Sequence, residues 1–183
     1  MFKELTVSRY LGILLCLGIL VGCGKAVSPV SQRIAVGDLA PQFMLPDINS
    51  NQQVNSSKVI ESSNAVVIII WSMACPSCRE ALVDCQHVYQ KYGPAGVSFV
   101  GINFDMENLS GVRAFMVAEG IEFMTVWDNG GKVTRAYKAL DYTFSIFVVD
   151  RQGSISFAQY DHPPDLAALL SRALDEMLAR ESD

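Results

Sequence analysis

The chain has 183 residues, enough for one domain with a real core plus a targeting segment. Half of the residues are hydrophobic and 18% are charged, the balance of a globular chain and not of a disordered one. A formal net charge of −5, with no run of like charges, excludes the basic surface that nucleic acid would need as a partner; five cysteines are too few for a disulfide scaffold, so each is read singly.

Residues 1–22 carry the pattern of an export signal. Lys3 and Arg9 precede an apolar run over 10–21, which is short for a membrane span. The run ends in Leu20-Val21-Gly22-Cys23, which resembles a bacterial lipobox. That resemblance implies that Cys23 receives a diacylglyceryl group and becomes the first mature residue, lipid-anchored to a bacterial membrane on its periplasmic or outer face. An ordinary or uncleaved signal would also take the chain out of the cytoplasm. Cys16 lies inside the signal and would be discarded with it. Residues 23–36 are small and polar and read as a tether, leaving 37–183 as the folded domain.

Within that domain, 66–71 is a continuous apolar, β-branched run, as expected of a central strand covered on both faces. Cys75-Pro76-Ser77-Cys78 follows, then a helical pattern to about Tyr92 with Leu82, Cys85, Val88 and Tyr89 on one face. Pro76 suits the first helical turn, where its missing N–H costs nothing. Gly93-Pro94 breaks the chain, and 97–103 reads as a second strand. A helix over 109–119, a short strand over 121–127 and a short helix over 132–138 come next. Residues 145–149 and 154–160 form a hairpin, and 166–180 is a closing amphipathic helix with Leu166, Leu169, Leu170, Ala173, Leu174 and Met177 inward. This order predicts an α/β sandwich, a central mixed sheet flanked by helices. Phe99, Phe104, Phe115 and Phe123 read as core aromatics.

The chemistry rests on the Cys75–Cys78 pair between a buried strand and a helix start. At a helix N-terminus a sulfur faces unpaired N–H groups and the positive end of the dipole, which stabilise a thiolate. The thiolate is the nucleophile of disulfide exchange, and two intervening residues let the second sulfur turn back and close the bridge. Cys75 is therefore the expected attacking thiol and Cys78 the resolving one. A structural disulfide closing so small a loop would stabilise little. A metal site needs about four ligands, and only Cys85, His87 and His162 remain as soft candidates. Cys85, two turns beyond Cys78, reads as a buried core thiol, and His87 and His162 as surface or satisfied polar residues.

Gly37-Asp38-Leu39-Ala40-Pro41-Gln42-Phe43 with Leu45 and Asp47, the strand–Trp-x-x-x-Cys-x-x-Cys segment over 66–78, 96–103 and Phe147-Val148-Val149-Asp150-Arg151-Gln152-Gly153 together resemble the thioredoxin-fold TlpA/ResA family over about 36–180. The opening motif alone also suits a peroxiredoxin, but the threonine three residues before that family's peroxidatic cysteine is absent. The resemblance implies a thioredoxin-like sandwich and a redox-active Cys75–Cys78 disulfide working without a cofactor. It implies as partners disulfide-containing exported proteins, those of cytochrome c maturation among them, and a membrane thiol reductant such as a DsbD/CcdA-like carrier. Trp71, Ala74, Pro76, Thr143 and Phe144 are the substrate-groove candidates.

The chain departs from that family's pattern in three places. Ala74 stands where a tryptophan usually precedes the first cysteine. The stretch Thr143-Phe144-Ser145-Ile146-Phe147 lacks the cis-proline that normally faces the pair; a non-proline cis bond costs about 3 kcal/mol, so a trans peptide and a reshaped groove are expected. The family's acidic residue after the second strand falls near Met106, flanked by Asp105 and Glu107, which read as solvated loop charges; a buried carboxylate there could instead take a proton from Cys78. The missing proline keeps open a copper or iron–sulfur protein with the pair as ligands; a tethered interaction domain without catalysis is a third reading.

Overall fold

A computed structural model describes residues 33–180; the signal, Cys23 and the tether up to residue 32 lie outside the described residues. In chain order the elements are β1 (Met44–Pro46), β2 (Gln53–Asn55), α1 (Ser56–Glu61), β3 (Ala65–Trp71), α2 (Pro76–Tyr92), β4 (Val97–Asn103), α3 (Leu109–Ala118), β5 (Met124–Trp127), α4 (Lys132–Ala136), β6 (Phe144–Val149), β7 (Ile155–Tyr160) and α5 (Leu166–Arg180). β1 and β2 form a small antiparallel hairpin. The other five strands form one sheet in the order β5-β4-β3-β6-β7. β3, β4 and β5 run parallel, whereas β6 and β7 are antiparallel additions. This is the expected mixed-sheet sandwich.

The central strand explains its own sequence. Because alternate side chains of a strand point to opposite faces, Val67, Ile69 and Trp71 join one core and Val66, Ile68 and Ile70 the other. The first core is closed by α2, α3 and α5 through Leu82, Cys85, Val88, Val112, Met116, Leu166, Leu170 and Leu174. The second is closed by Ile60 of α1 and Val133 of α4. Each such side chain contributes about 1.5–3 kcal/mol by leaving water. Gly101 in β4 is required by close approach: a Cβ there would lie 2.7 Å from Thr125 Oγ1 and 3.3 Å from Trp71 Nε1.

The β1–β2 hairpin and α1 have no counterpart among the elements expected from the sequence. β5 starts at Met124 and not at 121 as expected, and Leu169 and Ala173, expected inward, are only half-buried. Arg33 and Ile34, assigned to the tether, pack on the domain: Ile34 N–H donates to Tyr160 Oη (2.9 Å) and its side chain joins the second core.

Candidate functional site

The Cys75–Cys78 pair sits where β3 hands over to α2. Trp71 ends the strand, and the turn over residues 72–75 is built on Ser72. Its carbonyl accepts from Cys75 N–H (3.3 Å), and its Oγ accepts from Ala74 N–H (3.1 Å). A carboxylate from the neighbouring strand's end fixes this turn. Asp105 accepts from Ser72 Oγ (2.5 Å), from Met73 N–H (2.7 Å) and from Asn103 Nδ2 (2.8 Å), while its own carbonyl accepts from Trp127 Nε1 (2.7 Å). The expectation that Asp105 is a solvated loop charge is thereby corrected; it is part-buried and ties the loop after β4 to the turn before Cys75. Glu107 is exposed.

Cys75 is the N-cap of α2. Its extended backbone (φ −107°, ψ 109°) turns Sγ back over the first helical turn, where it accepts from Cys78 N–H at 3.1 Å. Pro76 begins the helix, and Ser77 Oγ lies 3.2 Å from Cys75 Sγ. Cys75 and Cys78 are joined as a disulfide with Cα atoms 5.3 Å apart, inside the usual range for such a bridge. Cys75 is 7% exposed and Cys78 is 0% exposed, so a partner reaches the first sulfur and not the second. Cys78 Sγ instead faces the backbone carbonyl of Thr143 at 2.9 Å.

Of the groove candidates, Ala74, Pro76 and Thr143 are exposed around the pair. Trp71 and Phe144 are not groove residues: they are 0% and 1% exposed, and are opposed across the β3–β6 ladder. Trp71 packs against Phe115 (5.9 Å between ring centroids), and Phe144 meets the ring of His162 edge-on (6.0 Å). Proximity to the motif along the chain does not put them at the surface, since both rings belong to the core. No peptide bond among the described residues is cis, so the bond from Thr143 to Phe144 is trans.

Sequence reasoning missed Ser72 as the pivot of the turn and Asp105 as its anchor. Neither has a local signal, because their partners are more than thirty residues apart in the chain. Met106, 71% exposed beside Asp105, adds an apolar residue at the end of the same loop. Cys85 is a free, fully buried thiol, and burial pushes its ionisation well above the ordinary thiol range, with the charge of Asp84 adding to the effect. His87 is exposed, and His162 Nε2 lies 3.5 Å from Asp84 Oδ2. Among the described residues no group of three or more His, Cys, Asp or Glu could hold a metal ion.

A groove of about 270 Å³ beside the pair is lined by Pro76, Arg79, Glu80, Val83, Phe115 and Glu119. The larger concavity, about 520 Å³, lies by the β6–β7 turn and the end of α5, at the other end of the sheet. The chemistry is at the smaller one: a disulfide carried on a partner chain needs an accessible sulfur, not an enclosing cavity.

The Redoxin family matches residues 35–171. The chain belongs to the Redoxin family. A protein of Mycobacterium tuberculosis (strain H37Rv), provisionally named a peroxiredoxin, is 30% identical over 141 residues, covering 70% of this chain and 87% of that protein. The thiol–disulfide oxidoreductase ResA of Geobacillus kaustophilus is 26% identical over 122 residues, 67% of each chain. A solved structure from Chlorobium tepidum, provisionally described as the thiol:disulfide interchange protein DsbE, superposes with a TM-score of 0.71 at 24% identity, covering 79% of this chain and 99% of that one; it shows the shared fold. This Redoxin member is thus a TlpA/ResA-like thiol–disulfide oxidoreductase of thioredoxin-like fold, with Cys75 and Cys78 bridged in it.

Proposed function

We propose that the protein works outside the cytoplasm, anchored through a lipid on Cys23, and reduces disulfides in exported proteins through the Cys75/Cys78 couple. The observation that carries this reading is the inequality of the two sulfurs. Cys75 is the reachable one and accepts a backbone N–H, whereas Cys78 is sealed behind it. Hydrogen bonds to a thiolate favour it, and the thiolate is the attacking species.

In the reduced protein, Cys75 thiolate attacks one sulfur of the partner disulfide. A Cys75–partner bond forms, and the partner's other sulfur leaves as thiolate. Cys78, deprotonated, then attacks Cys75 Sγ, closing the intramolecular bridge and releasing the partner's second thiolate. Two electrons pass to the partner, which is reduced, and the Cys75–Cys78 bridge is left oxidised. A membrane thiol carrier of the DsbD/CcdA kind returns two electrons, and apocytochrome c cysteines are one substrate class that the TlpA/ResA resemblance implies.

Reductase turnover on a disulfide-bonded test protein, together with trapping by Cys78→Ser, tests the reading. The variant should accumulate a mixed disulfide through Cys75. Turnover without any such adduct, or turnover of peroxide with no protein disulfide consumed, would replace it. Palmitate labelling of the full chain, lost in Cys23→Ser, tests the anchor.

A further inference from the structure

The Cys78 side of the pair is governed by a single backbone carbonyl, and that carbonyl belongs to a loop held from outside. Thr143 O lies 2.9 Å from Cys78 Sγ. The residue before it, Tyr142, is gripped from the far end of the chain. Arg33 Nε donates to Tyr142 Oη (2.7 Å), and the guanidinium lies 4.9 Å from the Tyr142 ring centroid and 5.1 Å from that of Tyr160. The two rings are 4.6 Å apart. Tyr160 Oη donates to the Tyr137 carbonyl (3.2 Å) and accepts from Ile34 N–H (2.9 Å), so both ends of the 137–142 loop are tied to one clasp. Cations over aromatic faces are weak in water, but one shared by two rings and hydrogen-bonded to one of them has a fixed direction.

We propose that Arg33 is a positioning residue of the redox pair: by clasping Tyr142 it holds the Thr143 carbonyl against Cys78 Sγ. This inference rests on the Cys75/Cys78 couple of the proposed function, but not on its partners or direction.

The physical content lies in what the sulfur offers in its two states. In the dithiol, Cys78 carries a proton and donates it to the Thr143 carbonyl. In the disulfide there is no proton, and an oxygen lone pair faces sulfur without a hydrogen bond between them. A clasp that keeps the carbonyl in place therefore favours the dithiol over the disulfide. Coupling of this kind is reciprocal, so oxidation of the pair loosens the hold on Arg33.

The test is an equilibrium between the full chain and glutathione, in which the dithiol plus oxidised glutathione gives the Cys75–Cys78 disulfide plus two reduced glutathione molecules. The fraction oxidised is read by thiol alkylation and mass. Arg33→Ala should raise the constant for oxidation about threefold, within what one neutral hydrogen bond contributes. Arg33→Lys, which keeps the cation but not the Nε–H geometry, should recover part of that shift. Tyr142→Phe, which keeps the rings but removes the acceptor, should shift it in the same direction as Arg33→Ala. Wild-type constants in Arg33→Ala and Tyr142→Phe would overturn the proposal, even if melting temperatures fall, because a merely structural contact would lower stability alone. Absence of any reversible couple in the wild-type chain would overturn the redox reading, and this inference with it.

Discussion

The two sulfurs of one disulfide stand three residues apart on the same helix start, yet their surroundings are opposite in kind. Cys75 faces donors: the N–H of Cys78 at 3.1 Å and the Ser77 hydroxyl at 3.2 Å. Cys78 faces an acceptor, the Thr143 carbonyl at 2.9 Å, and has no exposed surface. Donors stabilise a thiolate and an acceptor stabilises a protonated thiol. The difference teaches that the fold does not activate a dithiol as such. It splits the pair into a sulfur ready to attack and a sulfur kept quiet until the first has reacted, and each half is set by a different long-range bracket: Asp105 on one side, Thr143 on the other.

The largest expected effect breaks the comparison outright. In variants that keep one thiol of the pair, Cys75 (in Cys78→Ser) should react with iodoacetamide at pH 7 at least about tenfold faster than Cys78 (in Cys75→Ser), from thiolate stabilisation and exposure together. Equal rates would show that the two environments are not distinct. Both variants should lose catalytic turnover, since each lacks one half of the exchange.

Next in size is the bracket on the Cys75 side. Asp105→Ala removes the acceptor of Ser72 Oγ, Met73 N–H and Asn103 Nδ2 at once. Hydrogen bonds to a charged acceptor contribute about 1.5–3 kcal/mol each, with partial recovery from water at this half-buried site, so a net loss of about 2 kcal/mol is expected by urea denaturation. Alkylation of Cys75 should slow severalfold, while that of Cys78 in the Cys75→Ser background stays unchanged. Equal slowing of both thiols would mean that Asp105 supports the domain and not the turn.

Why the first sulfur was legible and its bracket was not follows from the range of the interactions. The run 66–71 announces a doubly covered strand by composition alone, and Cys75-Pro76 announces a helix start by local chemistry. The helix over 166–180 is visible from its periodicity. Asp105, Ser72 and Thr143 act through partners 32 to 65 positions away, and no spacing in the sequence encodes such pairs. The missed β1–β2 hairpin and α1 have the same cause. Gln53-Val54-Asn55 is too short and polar to show alternation, and the segment is pinned instead by Phe43 N–H donating to Ser56 Oγ (2.8 Å) and by Ser56 Oγ donating to Gln42 (2.9 Å). Trp71 and Phe144 lie near the motif in the chain but not at the surface, because both stand on the buried ends of paired strands.

The third thiol sharpens the comparison by having neither bracket nor exposure. Cys85 is buried among apolar side chains, and burial raises its ionisation in the folded protein above that of the unfolded chain. The neutral thiol is thus favoured by folding. At pH values below about 8.5 both states are protonated and the group adds no pH dependence. Above that, the unfolded chain loses the proton and the native state keeps it, so stability falls with rising pH by up to about 1.4 kcal/mol per unit from this group. Cys85→Ala should flatten the alkaline limb of a stability-versus-pH curve by one proton, at the cost of a small cavity, and leave the alkylation rate of Cys75 alone. Tyr137, whose phenol is also raised by burial, adds its own slope only at higher pH.

The smallest effect is the most diagnostic. Ser77 is exposed in the first turn of α2, and its hydroxyl lies within hydrogen-bonding distance of Cys75 Sγ. Ser77→Ala has two consequences of opposite sign. Alanine is the better helix former by about half a kcal/mol, so the variant should be as stable as the wild type or slightly more so. Loss of the hydroxyl leaves the thiolate with the Cys78 N–H alone, so alkylation of Cys75 in the Cys78→Ser background should slow about twofold, with no change at Cys78. Because stability and reactivity move apart, loosened packing cannot produce the result. An unchanged rate would assign the whole donor side of the comparison to the helix backbone.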